Sequence, residues 1–290
     1  MDFIGKGNFG SVFLGENIWK EREKVAIKLE DKKNTISILK NETRVLEYLA
    51  RYGCRTQIPQ VFWFGNYLVE GEGEKREKHC LVMTYFVGGS LSNSLSNSLS
   101  NNSLDNWMIS AIHILEKIHL YGVMHRDLKP VHFIFVEDKQ KWVLIDFGFA
   151  TFYLDKDKKE KEKTEYIIGT PNYISLNIHN GLGYTPIDDI WSLIYIYIRI
   201  LYPELFAFSL RKEKEKEKEK DEYPQNHILN TENQLRKQRK ELFNYKEFWE
   251  KFGKQKQNNK IYSFIQILLQ NKTKLLYNLL CDIFTIESIS

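Results

Sequence analysis

Cysteine is scarce in this chain of 290 residues, and its three copies, Cys54, Cys80 and Cys281, stand far apart. An odd, scattered set excludes a disulfide framework and a closely spaced zinc motif, and it points to a reducing compartment. Charge of one sign is also lacking. Lys plus Arg number 42 and Asp plus Glu 38, a net charge of +4, too small to argue for nucleic acid. There is no long hydrophobic run. The most apolar stretch, Ile190 to Leu201, contains Arg199 and is too short to span a bilayer, so it is expected to be a buried helix. Met1 is followed almost at once by a glycine-rich turn and not by an apolar run, so no secretory signal is expected. These absences predict a soluble intracellular protein, cytoplasmic or nuclear, with no membrane or nucleic-acid partner; a monomer is the expectation adopted for its assembly.

What is present has ordinary globular composition, 42% hydrophobic and 28% charged, with enough length for one large domain or two modest lobes. Three low-complexity tracts interrupt it: Leu91 to Ser103, rich in Leu, Ser and Asn; Lys156 to Lys163; and Arg211 to Lys220, where Lys and Glu alternate. Each is too polar to build a core and reads as a solvated insertion or helix extension. Between them the pattern changes once. Val12–Leu14, Val25–Leu29, Val61–Phe64 and Cys80–Phe86 read as strands, and Ile36 to Ala50 carries a helical apolar stripe. From Trp107 onward helices are expected at Trp107 to Tyr121, at Asp188 to Leu201 and beyond 240. Two short strands, Phe133–Val136 and Trp142–Ile145, interrupt them. A boundary after residue 86 separates a β-rich part, 1–86, from a helical part, 87–290.

Four motifs carry chemistry. The first is Gly5-Lys6-Gly7-Asn8-Phe9-Gly10-Ser11-Val12. Glycines let backbone amides approach phosphate oxygens without a side chain in the way. Alone the pattern is weak, and because strand-like residues follow it, a strand–turn–strand cover is expected. The second is Val25-Ala26-Ile27-Lys28; a lysine on an apolar strand needs a counter-ion, and Glu42 on the helical stripe could supply it. The third is His125-Arg126-Asp127-Leu128-Lys129-Pro130, where an aspartate in a loop can take a proton from a substrate hydroxyl and Lys129 can neutralise a transferring phosphoryl group. The fourth is Asp146-Phe147-Gly148 after an apolar strand, a carboxylate suited to Mg²⁺. In isolation each has a bland reading as a surface lysine, a charged loop or a turn.

Their order and spacing change that. The chain resembles the eukaryotic protein kinase family from residue 5 to about residue 200. The resemblance implies an α+β, bilobal fold, with a small β-rich N-lobe at 1–86 whose first strand is clipped and a larger helical C-lobe at 87–290. It implies ATP and Mg²⁺ as cofactors and proteins bearing Ser or Thr as substrates. Residue by residue, it implies that Ile4 and Gly5 to Val12 cover the nucleotide and that Lys28 contacts phosphates with Glu42 as its partner. Met83 would be the gatekeeper and Thr84 to Phe86 the hinge, and Val12, Ala26 and Ile134 would sandwich the adenine. Asp127 would be the catalytic base with Lys129 beside it, Asp146 a metal ligand, and Asp189 a brace for the catalytic loop. A closer similarity, to the casein kinase I group, rests on Val25 to Glu30, on Ile58-Pro59 to Gly65, and on Gly169-Thr170-Pro171-Asn172-Tyr173-Ile174-Ser175-Leu176-Asn177. It implies transfer of the ATP γ-phosphate to Ser or Thr.

Departures from the family pattern matter as much. His132 stands where kinases carry a metal-binding asparagine, and imidazole suits softer metals than Mg²⁺. Three outcomes are open: weakened one-metal catalysis, a Mn²⁺ preference, or a nucleotide-binding pseudokinase acting as a scaffold. Asn172 replaces an arginine that the casein kinase I group places near an anion pocket. Thr164 and Tyr166 are hydroxyls available for phosphorylation between Asp146 and Thr170.

Overall fold

In a computed structural model, residues 2–7, 10–32, 37–70, 75–94, 101–154, 168–206, 225–251, 255–271 and 277–285 are described. Asn8, Phe9, Thr164, Tyr166, residues 95–100, the Lys156 to Lys163 run and the Arg211 to Lys220 run lie outside them. The fold divides into two compact units that are discontinuous in sequence: residues 1–97, 116–125 and 130–160, and residues 98–115, 126–129 and 161–290.

The first unit holds every strand among the described residues. β1 (Asp2–Gly7), β2 (Gly10–Asn17), β3 (Glu23–Asp31), β4 (Val61–Glu70) and β5 (Lys75–Thr84) form an antiparallel sheet in the order β1-β2-β3-β5-β4. The strands run longer than their apolar cores predict, because hairpin pairing carries β4 and β5 through polar residues as far as Glu70↔Lys75. β1 forms from Asp2 onward, with a register shift between Phe3 and Gly5. β3 is central and buries Val25, Ala26, Leu29 and Glu30.

Helix α1 (Ile38–Arg51) buries the stripe Leu39, Glu42, Val45, Leu46 and Leu49, as the apolar spacing predicts. Its N-terminus is held from β3. The Glu30 carboxylate accepts from Ser37 Oγ (2.7 Å), Ile38 N (2.9 Å) and Leu39 N (3.3 Å). A buried acid thus satisfies amides that the first helical turn leaves free. β6 (Gly89–Ser90), α2 (Leu91–Ser94), β7 (Val123–Met124), β8 (Phe133–Val136), β9 (Lys141–Leu144) and β10 (Thr151–Phe152) complete the unit, in a β6-β8-β9 sheet and a β10-β7 pair. Leu144 N donates to Gln57 O at 2.9 Å, a bond that ties β9 to the segment ahead of β4. Long-range bonds of this kind group 130–160 with the β-rich residues.

The second unit is helical. It contains α3 (Asn101–Leu120) as far as residue 115, α4 (Leu176–His179), α5 (Pro186–Leu201), α6 (Gln225–Leu242), α7 (Lys246–Trp249), α8 (Gln255–Gln270) and α9 (Tyr277–Thr285). α5 is the expected buried helix, with almost every residue from Ile187 to Ile198 inside. A helix apolar on all sides must be wrapped by others. It starts with a capping box: the Asp188 carboxylate accepts from Thr185 N (2.7 Å) and Thr185 Oγ1 (2.9 Å), and Pro186 opens the first turn. No helix among the described residues is long and apolar enough to cross a membrane.

A buried ion pair crosses this core. Lys260 Nζ on α8 lies 2.6 Å from Asp105 Oδ2 on α3, and Tyr197 OH on α5 donates to Asp105 Oδ1 at 2.6 Å. The two charged side chains are 7% and 9% exposed. Lys260→Met leaves that carboxylate inside without its cation, and is expected to lower unfolding free energy by about 3–5 kcal/mol. Tyr197→Phe, which removes one hydrogen bond to that charged carboxylate, should cost about 1.5–3 kcal/mol. Denaturant midpoints measure both. Equal small losses would mean that water screens the pair.

Candidate active site

The glycine turn is a hairpin between β1 and β2, closed by Gly7↔Gly10. Its glycines differ in purpose. A Cβ at Gly5 would meet nothing within 4 Å, whereas one at Gly10 would lie 2.0 Å from Leu29 O on β3. Gly5 leaves open space, and Gly10 permits close strand packing. Lys6 and Ile4 are exposed on β1; Ser11 and Val12 lie on β2, where Val12 pairs with Lys28.

Lys28 is the centre of the first cluster. Its Nζ lies 2.8 and 2.9 Å from the two Glu42 oxygens and 2.9 Å from Asp146 Oδ1. Glu42 Oε1 also accepts from Phe147 N at 3.2 Å, and His132 Nε2 lies 3.0 Å from Asp146 Oδ2. Strand β3, helix α1, a 3₁₀ turn at Pro130–His132 and the segment after β9 thus deliver one group each. Asp146 adopts φ +67°, a left-handed conformation that a non-glycine residue holds only where surrounding bonds enforce it. Electrostatics follow the geometry. Burial works to lower the Lys28 pKa, but the Glu42 and Asp146 carboxylates outweigh it and hold it above its ordinary value. Burial pushes Glu42 up despite Lys28. Burial also works to raise Asp146, yet Lys28 and then His132 hold it well below the usual carboxylate range.

The residues expected around adenine lie in this same unit. Ala26 on β3 pairs with both Leu14 and Met83, and both Ala26 and Met83 are buried. Thr84 ends β5, with its N–H on Gln60 O and its Oγ1 accepting from Gln60 N, each at 3.0 Å. Tyr85 and Phe86 follow outside the strand, and Ile134 sits on β8 opposite Ser90 and Val143.

The second cluster belongs to the helical unit. Asp127 is 5% exposed; its Oδ1 accepts from Thr170 Oγ1 at 2.7 Å and its Oδ2 from Lys129 Nζ at 2.9 Å. Arg126, also left-handed at φ +68°, donates its N–H to Asp189 Oδ1 at 2.9 Å from the first turn of α5. The segment Thr170–Ser175 is anchored by the buried Lys240 on α6, which donates to Pro171 O (3.0 Å) and Ile174 O (2.5 Å). Asn172 Oδ1 accepts from Arg236 Nε at 2.8 Å. Burial, with Arg236 nearby, drives the Lys240 pKa far down.

The implied metal and nucleotide can be tested against these donors. Asp146 offers carboxylate oxygens and His132 an imidazole nitrogen, an oxygen–nitrogen pair that suits Mn²⁺ better than the all-oxygen preference of Mg²⁺. Among the described residues no group of three or more His, Cys, Asp or Glu is arranged for a metal. Asp146 and His132, in contact at 3.0 Å, are the two residues that would hold a divalent cation here. Two residues with clear contacts escaped the motif reading. Thr170, quoted above only within Gly169-Thr170-Pro171, holds the Asp127 carboxylate. Asn41, the neighbour of Glu42, had no signal in the sequence.

A family model described as "Protein kinase domain" matches residues 1–276. Casein kinase I homolog 1 of Schizosaccharomyces pombe (strain 972 / ATCC 24843) is 30% identical over 209 residues, which cover 68% of this chain and 44% of that protein. The alignment thus spans less than half of that relative's length. With motifs, sheet order and family match in agreement, the chain belongs to the protein kinase family and is related to casein kinase I.

Proposed function

We propose that the chain is an ATP-dependent serine/threonine protein kinase of casein kinase I type. The observation that carries this reading is one lysine ammonium bonded to two carboxylates from remote positions, Glu42 and Asp146, each within 2.9 Å. A cation oriented in this way is suited to the α- and β-phosphates, with Asp146 beside it for the metal. The relationship to casein kinase I supports protein Ser or Thr as acceptor. In this reading the β-rich lobe, 1–86, binds ATP, and residues 87–290 carry the catalytic loop and meet the protein substrate. The protein acts inside the cell, in cytoplasm or nucleus, as a monomer.

The chemistry asked of the chain's own groups is modest. Gly5 and Gly7 let backbone amides approach phosphate oxygens. Lys28 neutralises them, and Glu42 orients Lys28. Asp127 accepts the hydroxyl proton as the substrate oxygen bonds to the γ-phosphorus and the bond to the β-phosphate oxygen breaks. Lys129 offsets negative charge on the group in transfer. Asp146 and His132 would hold a divalent cation, which would supply further charge neutralisation.

His132, 3.0 Å from Asp146, favours a second reading, a nucleotide-binding scaffold without turnover. Phosphate incorporation into acidic protein substrates, with Mg²⁺ and Mn²⁺ compared, separates the two. The kinase reading expects incorporation that is at least several-fold faster with Mn²⁺, and a shift of that ratio toward Mg²⁺ by about tenfold in His132→Asn, from the change of donor type. Folded protein that ATP stabilises against heat, yet that transfers no phosphate with either metal, is a scaffold.

A further inference from the structure

We infer that Asn41 is a positioning residue, whose carboxamide holds the Glu42-bearing helix against the segment that follows Asp146. Asn41 Nδ2 donates to Gly148 O at 3.0 Å and to Ala150 O at 2.8 Å. Both of its N–H groups are thereby used, on two carbonyls more than 100 residues away. The next residue on the helix is Glu42, which reaches Lys28 on β3. Successive helical residues point about 100° apart. Residues 41 and 42 therefore brace the helix in two directions, toward the 148–150 segment and toward the sheet. Rotation or retreat of α1 breaks both sets of bonds together.

Neighbouring contacts show that this face of α1 is fitted to the segment. A Cβ at Gly148 would lie 2.5 Å from Ile38 Cγ2, so a side chain there would have to displace that methyl. One turn after Asn41 the Arg44 guanidinium lies 5.1 Å from the Phe152 ring, and two turns after it Tyr48 meets the same ring edge to face at 4.8 Å. Phe147 N donates to Glu42 Oε1. In this row of contacts the Asn41 carboxamide supplies two neutral hydrogen bonds directly beside the strained Asp146. The inference rests on the proposed role of the Lys28 cluster, because that cluster is what the helix presents.

Asn41→Leu keeps the approximate size and removes both donors. Asn41→Asp keeps the shape and sets carboxylate oxygens against two carbonyl oxygens. Three readouts test the inference: binding of Mn²⁺–ATP, amide hydrogen exchange at 38–42 and 147–150, and kcat with KM for ATP. Loss of two hydrogen bonds predicts about tenfold faster exchange of the Phe147 amide and about tenfold weaker ATP binding. Asp should have the larger effect, kcat should fall with a raised KM, and exchange in the helical unit should not change. If both variants keep parental exchange at Phe147 and parental ATP affinity, the inference is wrong. It is also wrong if exchange rises evenly over the whole chain with a fall in Tm, which marks general destabilisation. A parent that binds ATP but transfers no phosphate sinks the kinase reading alone, and exchange and ATP binding still decide the role of Asn41.

Discussion

Asp127→Ala is expected to lower phosphate transfer by about 10³-fold, within the range that a positioned general base contributes, with ATP affinity and Tm close to the parent. The local geometry explains both halves of that expectation. Both carboxylate oxygens have a partner, Thr170 Oγ1 and Lys129 Nζ, so the group is aimed rather than free to rotate. Its loss removes the acceptor for the substrate proton. Neither partner is stranded: the Lys129 side chain is 30% exposed and can turn to water, and Thr170 is half-buried. Asp127→Asn is the sharper variant: it keeps an acceptor for Thr170 but has no basic oxygen, and it should be nearly as inactive. Initial rates at saturating ATP, beside thermal melts, provide the check. Retention of more than a tenth of the parental rate in Asp127→Asn would remove this residue from the base role.

Lys28→Met should damage both stability and activity. The ammonium is enclosed at 15% side-chain exposure, and Glu42 beside it is at 1%. Without the cation, the buried Glu42 carboxylate is left without its ion-pair partner beside Asp146, whose side chain is 39% exposed. Breaking a buried pair in this way costs about 3–5 kcal/mol at neutral pH, and transfer should fall about 10²-fold or more with the loss of phosphate neutralisation.

The pH dependence has a defined sign. Glu42 is already raised by burial, and Lys28 opposes that rise; without Lys28 its pKa climbs further. A carboxyl raised in the folded state contributes stability that is present below its unfolded value and lost as pH rises through the folded one. In the parent, Asp146 is held below its ordinary 3.8, so its contribution is present above that value and lost as pH falls through the lower folded one. The gap between parent and Lys28→Met should therefore be narrow near pH 5 and wider at pH 8. Denaturant midpoints at the two values measure it, and a gap independent of pH would mean that Glu42 does not titrate in the variant.

The sequence was legible where a physical period or a short motif repeats in one stretch of chain. The stripe of α1, the apolar run of α5 and the short strands at 133–136 and 141–144 were expected close to where they occur. Ends were less legible. β4 and β5 extend through Asn66, Lys78 and Glu77 because a hairpin, once paired, continues by backbone bonds that are indifferent to side-chain polarity. The first strand runs over six residues, Asp2–Gly7, by pairing with β2.

At the site, residue types were visible, and of the partners only Glu42 for Lys28 and Asp189 for the catalytic loop were expected. Lys28 was expected to need a counter-ion, and the structure places two carboxylates on it. Nothing along the chain reveals that Glu30 caps α1, that Thr170 bonds Asp127 or that Asn41 reaches Gly148 and Ala150.

The sequence by itself determined family, order of elements and the identity of the charged groups, because backbone periodicity and motif chemistry are local properties. Only the tertiary structure decided which charges neutralise one another, which glycine is needed for packing, and where Asp105 finds Lys260 across 155 positions. Those outcomes depend on distances that exist only once chain closure has brought remote segments together, and a hydrogen bond across such a span leaves no pattern in the order of residues.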